Sequence, residues 1–282
     1  MLKLSGAAIT DVGNFRENNE DNYLLFGNYK TDRALAHDEC EIVNEIAEAD
    51  ENTVVVGEDD VNDEIVDLVH NSTVVAVFDG VGGADNGEVA SLICAEQLSL
   101  KDSLVDSSSI KTALLKLNEK VCDEINKSGN VMGATVAALF FYGDNVISAN
   151  LGDSRCYLFR NGKLCQLSHD HSKAQLLIDR GEMSALDAKN SNKWHIITQY
   201  IGITRPEIKP EPYFTGPLLL EKGDRFLVCS DGLTDPLSDN MIKNILLNSD
   251  TKNAFMTAGE LVDAALKAGG RDNVTAVLVD VN

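Results

Sequence analysis

The stretch TVAALFFYGDNVISANLGDSRCYLFRNGKL, residues Thr135 to Leu164, holds three short apolar runs in close succession. Turn residues separate the runs at Gly143-Asp144 and Gly152-Asp153, and Asn161-Gly162 marks another tight turn. Strands joined this directly pair antiparallel, because a parallel pair needs a long crossover connection that is usually a helix. The stretch therefore predicts an antiparallel meander and not a βαβ series.

Helical patterns flank this stretch on both sides. Apolar residues from 110 to 125 recur every three or four positions after the serines at 107–109, which is typical of one buried helix face. Strands are predicted at 6–11, 22–26, 74–78, 226–230 and 274–281, and helices at 87–100, 107–125, 172–178, 238–247 and 258–268. Strands grouped between pairs of helices indicate an α+β domain with antiparallel sheets. No repeat or linker divides the chain, so residues 1–282 are expected to form one domain.

Composition limits the partners that the chain can have. The 282 residues carry a formal net charge of -21, which disfavours nucleic acid or an anionic membrane as a general partner. The N-terminus lacks a signal-peptide pattern and no apolar window is long enough to span a bilayer, so a cytoplasmic location is expected. Six cysteines are scattered without a CxxC pair, which predicts free thiols packed as small apolar groups.

Acidic residues are concentrated in one segment. From Asp38 to Asp67 the sequence contains thirteen acids and no lysine or arginine. Such a segment is predicted to be a solvated insertion at about 30–70, and docking of a basic partner or shielding of a site are the alternatives. Within it, residues 52–60 predict a short strand and residues 63–70 a short helix.

Aspartates stand at the ends of several apolar runs. They are Asp21, Asp79, Asp153, Asp231 and Asp272. Each alone is typical of a turn or a cap. If the strands are neighbours, however, the carboxylates share one rim and repel each other unless a cation lies between them. Carboxylate oxygens suit hard cations such as Mg²⁺ or Mn²⁺, so the sequence predicts a metal site.

A series of motifs supports this prediction. In chain order they are TDVGNFRENNEDNYLLF, VFDGVGGADNGEVAS, GATVAALFF, ANLGDSRCYLF, LSHDHSKAQLLIDRGEM, GDRFLVCSDGLTD and GGRDNVTAVLV. The series resembles that of the metal-dependent protein serine/threonine phosphatases of the 2C (PPM) family, in its bacterial form, and covers nearly the whole chain apart from the acidic insertion. The resemblance implies a four-layer α/β/β/α sandwich, with two antiparallel sheets packed face to face and helices outside.

The resemblance also implies roles for single residues. Asp79 would bridge two Mn²⁺ or Mg²⁺ ions, and Gly80 would offer its carbonyl oxygen to one of them. Asp21 would serve that same ion directly or through water. Asp231 and Asp272 would hold the other ion.

Four further positions match the family. Asp153 corresponds to an acid that helps to bind a third, weaker ion in bacterial members. Arg16 corresponds to the residue that holds the substrate phosphate, and its guanidinium fork suits two phosphate oxygens. Glu20 would act through water, and Asn273 would support the Asp272 loop.

The implied reaction is hydrolysis of phosphoserine and phosphothreonine monoesters. A hydroxide bridging the two ions would attack phosphorus in line, with Asp79 and Arg16 as the catalytic residues. The implied partners are phosphorylated protein substrates of a serine/threonine kinase, and a monomer is expected. The alternative is a catalytically weak, phosphatase-like module that regulates or binds phosphoproteins.

Some positions depart from the family or leave alternatives open. Bacterial relatives commonly carry a histidine where this chain has Ala84, so the donor of the leaving-group proton is not evident. His169 and His171 are spaced like two strand ligands, although a structural role is favoured. His195 falls where the family has a mobile flap, and a plain surface loop is the alternative. A dinucleotide-binding loop is disfavoured because Asp85 stands where its third glycine would be.

Overall fold

The computed structural model describes residues 2–31, 41–43, 66–67, 72–81, 86–101, 103–189, 191, 193–204, 208–249 and 254–282. The strands are β1 (Lys3–Asp11), β2 (Asn22–Leu25), β3 (Glu41–Val43), β4 (Val66–Asp67), β5 (Thr73–Phe78), β6 (Gly80–Val81), β7 (Gly133–Ala134), β8 (Val136–Tyr142), β9 (Asn145–Leu151), β10 (Arg155–Arg160), β11 (Lys163–Gln166), β12 (Tyr213–Phe214), β13 (Leu218–Leu219), β14 (Arg225–Cys229) and β15 (Val274–Val281). The helices are α1 (Gly87–Ser99), α2 (Ser107–Ser128), α3 (Lys173–Asp179), α4 (Ala185–Lys189), α5 (Asp231–Thr234), α6 (Asp239–Asn248) and α7 (Ala254–Lys267).

Two antiparallel sheets dominate the fold. The first has the order β11, β10, β14, β15, β1 and β3, and β4 also pairs with β1. The second has the order β12, β9, β8, β5 and β2, and β13 also pairs with β9. The short strands β6 and β7 form a separate antiparallel pair.

Helices cover the outer face of each sheet, which gives four layers. Phe140 of β8 lies in a core shared with Leu114 of α2, on the outer side of the second sheet. Phe141 and Phe226 meet edge to face between the sheets, with ring centroids 5.5 Å apart. Leu261 of α7 belongs to a third core, on the outer side of the first sheet. The predicted α/β/β/α sandwich is confirmed.

The predicted meander is wrong at one point, because β9 and β10 belong to different sheets. β8 and β9 form a hairpin in the second sheet, whereas β10 pairs with β11 and β14 in the first. The chain crosses between the sheets at Gly152, whose φ of +106° is strained for other residues. A Cβ at Gly152 would also lie 2.6 Å from the side chain of Thr135. The crossing sets Asp153 between the ends of the two sheets.

Other predicted elements differ only in their bounds. The serines at 107–109 were expected to open α2, but the cap is Asp106, whose carboxylate accepts hydrogen bonds from the backbone of Ser108 and Ser109. The last helix begins at Ala254, four residues before its predicted start. The segment between α3 and residue 202 was expected to be irregular but contains α4.

The acidic insertion contributes two short strands to the first sheet. Glu41–Val43 and Val66–Asp67 both pair with β1. The helix predicted over 63–70 is therefore wrong for residues 66 and 67, because β1 offers them an open sheet edge whose hydrogen bonds they complete. The strand predicted over 52–60 lies outside the described residues.

The described thiols are free, as predicted, but not all of them are packed in the core, because Cys165 is exposed. Cys94, Cys156 and Cys229 are free and buried, and Cys122 and Cys165 are also free. Cys40 lies outside the described residues. Within the described ranges, no helix is long and apolar enough to cross a membrane.

Candidate metal centre

Each aspartate singled out in the sequence stands where a strand starts or ends. Asp21 directly precedes β2, and Asp79 separates β5 from β6. Asp153 lies in the crossing between the sheets, Asp231 begins α5 just after β14, and Asp272 lies two residues before β15. The charges of the other four aspartates all raise the pKa of Asp79, so the fold brings the five residues together.

Asp79 and Asp231 form the centre of the cluster, and both are partly buried. Burial raises the pKa of Asp79 well above its usual range, and the charge of Asp231 raises it further. The pKa of Asp231 is raised by burial and then by the charge of Asp153. The Asp79 and Asp231 carboxyl groups thus lie close enough for each to oppose the charge of the other. A divalent cation between the two groups would remove this repulsion.

Asp21 is fixed by two hydroxyl groups. Its Oδ2 accepts hydrogen bonds from Ser230 Oγ at 2.7 Å and from Thr275 Oγ1 at 2.6 Å. Burial raises the pKa of Asp21 to about 6, and the two hydroxyl groups oppose the increase. The hydroxyl groups orient the carboxylate towards the other aspartates without neutralising it. Sequence reasoning missed both, although Ser230 directly precedes Asp231.

Asp153 is buried, and its carboxylate is only partly hydrogen-bonded. Its Oδ1 has no hydrogen-bond partner within the described part of the chain. Burial, and then the charge of Asp170, raises the pKa of Asp153 to about 7. A buried carboxylate oxygen without a donor costs free energy unless water or a cation binds to it.

Arg16 lies at the rim of the cluster. Its Nη2 donates a hydrogen bond to Asp272 Oδ2 at 2.7 Å, and both side chains remain about half exposed. The pKa of Arg16 is raised above its usual value, first by this hydrogen bond. A solvent-accessible guanidinium beside buried carboxylates is placed to receive an anionic group.

Asn273 ties the Asp272 loop to the segment that carries Arg16. Its Nδ2 donates to the carbonyl oxygens of Val12 and Asn18, both at 2.9 Å, and its Oδ1 accepts from the backbone N–H of Glu20 at 2.8 Å. Burial and then the charge of Glu88 raise the pKa of Glu20 to about 7. Glu20 and Asn273, which the family resemblance gives separate supporting roles, thus contact each other.

Two glycines allow backbone segments to meet around the cluster. A Cβ at Gly80 would lie 2.5 Å from the carbonyl carbon of Gly87 and 2.6 Å from the carbonyl oxygen of Glu20. A Cβ at Gly232 would overlap the carbonyl oxygen of Asn273. Neither position accepts a larger residue unless the backbone moves.

A cleft of about 1100 Å³ opens beside the carboxylates. Arg155, Trp194, His195, Asp235 and Asp272 are among its lining residues. His195 therefore faces the cleft, which supports the flap alternative over a plain surface loop. Sequence reasoning missed Asp235, although its spacing of four residues from Asp231 is typical of one helix face.

The other histidines have protein partners. His171 Nδ1 accepts a hydrogen bond from the backbone N–H of Gly152 at 3.2 Å, and burial lowers its pKa to about 4. His169 Nε2 pairs with Asp179 Oδ2 at 2.8 Å. These contacts support a structural role. Ala84 lies outside the described residues.

Comparison with known proteins agrees with this geometry. Residues 51–177 match the family model described as Protein phosphatase 2C. The serine/threonine phosphatase stp of Listeria monocytogenes is 34% identical over 221 residues, which span 74% of this chain and 85% of that protein. The chain belongs to the protein phosphatase 2C family.

Other protein phosphatase 2C relatives extend the comparison. The serine/threonine protein phosphatase PstP of Mycobacterium tuberculosis is 33% identical over 213 residues, which are 73% of this chain and 40% of that protein. The alignment thus spans less than half the length of PstP. The catalytic domain of PstP, solved with two manganese ions, superposes with a TM-score of 0.71 at 27% identity and covers 100% of this chain and 99% of that one.

Proposed function

We propose that this chain is a metal-dependent protein serine/threonine phosphatase, which hydrolyses phosphoserine and phosphothreonine monoesters. The observation that carries the proposal is the cluster of five aspartates, in which burial and mutual repulsion raise the pKa values of Asp79 and Asp231. Such a cluster costs free energy unless cations neutralise it. Kinship with PstP, whose catalytic domain was solved with two manganese ions, supports Mn²⁺ or Mg²⁺ as these cations.

The donor set suits hard divalent cations. In the proposal, the Gly80 carbonyl and Asp21 would hold one ion, Asp231 and Asp272 would hold the other, and Asp79 would contribute to both. These donors are all oxygen atoms, as Mg²⁺ and Mn²⁺ prefer. When bound, two such ions activate a shared water for in-line attack on phosphorus and neutralise charge on the phosphoryl oxygens.

The remaining residues bind and position the substrate. Arg16 holds the phosphate through its guanidinium fork, which has further N–H donors besides the one that binds Asp272. Asn273 fixes the Arg16 segment against the Asp272 loop. Glu20 acts through water beside Asp21, and Asp153, with its unpaired oxygen, contributes to a third and weaker cation site.

The proposal extends to the whole chain. Residues 1–282 act as one catalytic domain with an acidic insertion at about 30–70, and the substrates are phosphoproteins made by a serine/threonine kinase. The monomeric state and the cytoplasmic location stay predictions from the sequence.

Hydrolysis of p-nitrophenyl phosphate and of a phosphothreonine peptide tests the function. We expect turnover with Mn²⁺, no turnover in EDTA, and a loss of at least about a hundredfold in kcat for Asp79→Asn. Asp263→Asn is the matched control, because it removes the same charge from the exposed surface of α7. Mn²⁺ binding without turnover of either substrate would contradict an enzyme and favour the phosphoprotein-binding module.

A further inference from the structure

Two exposed side chains flank the pair formed by Arg16 and Asp272. Phe15 directly precedes Arg16 and is 72% exposed, and Arg271 directly precedes Asp272 and is also exposed. Both residues line the cleft of about 1100 Å³. Because Arg16 contacts Asp272 at 2.7 Å, the backbone positions of Phe15 and Arg271 lie in the same part of the cleft.

The backbone that carries the two side chains is fixed. The Asn14 N–H donates to the Gly270 carbonyl oxygen at 2.7 Å, and Asn14 Nδ2 donates to the Gly269 carbonyl oxygen at 3.0 Å. Gly13 has a φ of +81°, and a Cβ there would overlap the Asp272 carbonyl oxygen. The two loops thus form one unit, so a ligand that contacts both side chains does not have to order their backbone first.

Phe15 offers an apolar surface beside the residue that is proposed to hold the phosphate. Single exposed apolar residues are common on proteins. Phe15 differs from these because its neighbour Arg16 places a phosphorylated residue next to it, and successive residues of an extended peptide lie only about 3.4 Å apart. An apolar side chain next to the phosphorylated residue would cover the ring and remove both surfaces from water.

Arg271 carries the charge in the cleft that is not matched within the described part of the chain. The other charged residues that line the cleft each lie within 3.9 Å of a group able to carry the opposite charge. These residues are Arg155, Asp170, His195, Asp235, Asp239 and Asp272. In one such pair, His195 Nδ1 lies 3.3 Å from Asp235 Oδ2. The exposed guanidinium of Arg271 is therefore available to a carboxylate of a ligand.

We propose that Phe15 and Arg271 form a recognition site for the residues next to the phosphorylated one, in which Phe15 packs against an apolar side chain and Arg271 pairs with an acidic one. The inference rests on the proposed function and names the substrates that it favours, which are phosphoproteins with apolar and acidic residues beside the phosphorylated serine or threonine. The carboxylates of the cleft already have partners, so the unmatched charge that a substrate meets there is positive.

Four phosphothreonine peptides with one host sequence test the proposal. They carry serine, leucine, aspartate or lysine on both sides of the phosphothreonine, so the direction in which the peptide binds does not matter. Phosphate release with Mn²⁺ gives kcat/KM, in about 0.15 M NaCl to screen the distant charges of the chain. We expect the unchanged chain to favour leucine over serine about tenfold and aspartate over lysine about tenfold, because aromatic and arginine side chains are frequent anchors in interfaces.

Two variants should each remove one preference and keep the other. Phe15→Ser should abolish the preference for leucine, and Arg271→Gln should abolish the preference for aspartate. Arg271→Glu should favour the lysine peptide instead, because the charge of the site is reversed. Each preference is a ratio measured on one protein, so an unfolded fraction lowers both rates equally. A general structural defect cannot produce this crossed result.

Leu219→Ser and Lys222→Gln are the matched controls. Leu219 is 63% exposed and Lys222 is also exposed, and neither residue lines the cleft. The first variant removes an exposed apolar side chain, as Phe15→Ser does, and the second removes a positive charge, as Arg271→Gln does. Both controls should keep the two preferences of the unchanged chain.

The unchanged chain separates this inference from the proposed function. If it hydrolyses none of the four peptides, the proposed function is overturned. If it hydrolyses all four with equal kcat/KM, or if both preferences persist in Phe15→Ser and Arg271→Gln, the recognition site is overturned and the phosphatase activity stands.

Discussion

The charge of Asp153 should destabilise the metal-free protein, and Asp153→Asn should therefore increase its free energy of unfolding. The carboxyl group is only 7% exposed, and its pKa rises from 3.8 to about 7 because of burial and then Asp170. The shift of about 3 units corresponds to at most about 4 kcal/mol in the free energy of unfolding. Relaxation and water entry reduce this maximum, so we expect Asp153→Asn to gain about 1–3 kcal/mol at pH 8.

The direction of the pKa shift determines how the stability difference between the two proteins varies with pH. The folded chain holds the Asp153 proton more tightly than the unfolded chain, because the pKa is raised on folding. This contribution is fully present below about pH 3.8 and is lost as the pH rises through about 7. The advantage of Asp153→Asn should therefore be close to zero at pH 4 and largest at pH 8.

Urea unfolding in EDTA at pH 4 to 8 measures this difference. Asp263→Asn is the control, because the net charge of -21 could by itself favour any loss of negative charge. Its side chain is 66% exposed, so its effect should stay below about 0.5 kcal/mol. Equal or lower stability of Asp153→Asn at pH 8, or an equal gain in the control, would refute the reasoning.

Three further predictions follow from single contacts. Gly232→Ala should destabilise the fold by at least about 3 kcal/mol in thermal unfolding, because its Cβ would overlap the carbonyl oxygen of Asn273. Gly216→Ala is the control and should be neutral, because its Cβ would meet nothing within 4 Å. Arg16→Lys should raise KM for p-nitrophenyl phosphate about tenfold, because an ammonium group cannot pair with two phosphate oxygens at once, and an unchanged KM would contradict the phosphate role. Burial lowers the pKa of His171 from 6.5 to about 4, so its contribution to stability is lost as the pH falls from 6.5 to 4. His171→Asn keeps an acceptor for Gly152, so it should gain up to about 3 kcal/mol relative to the unchanged chain over that range in urea unfolding.

The sequence predicted the long strands and helices but neither α4 nor the pairing of the strands. The turn at Gly152-Asp153 correctly predicts that β9 ends there. It does not reveal that the next strand joins the other sheet, because a change of sheet depends on packing between layers. The assignment of Asp153 to the site did not depend on this error.

The candidate site was predictable where it depends on strand ends. The aspartates that follow or precede apolar runs come together, as the shared-rim argument expects. The hydroxyl groups of Ser230 and Thr275 were missed, because they reach Asp21 through contacts between residues far apart in the chain. The same limit explains why His195 could be placed near the cleft but not beside Asp235.

The short strands of the acidic insertion have a consequence for handling the protein. They occupy the outer edge of β1, where Ala8–Thr10 pair with Glu41–Val43 and Lys3–Leu4 pair with Val66–Asp67. An uncovered edge strand offers free N–H and C=O groups to other chains and promotes aggregation. The insertion therefore protects the edge of β1 from pairing with other chains. Removing residues 38–67 should produce a chain that self-associates through β1.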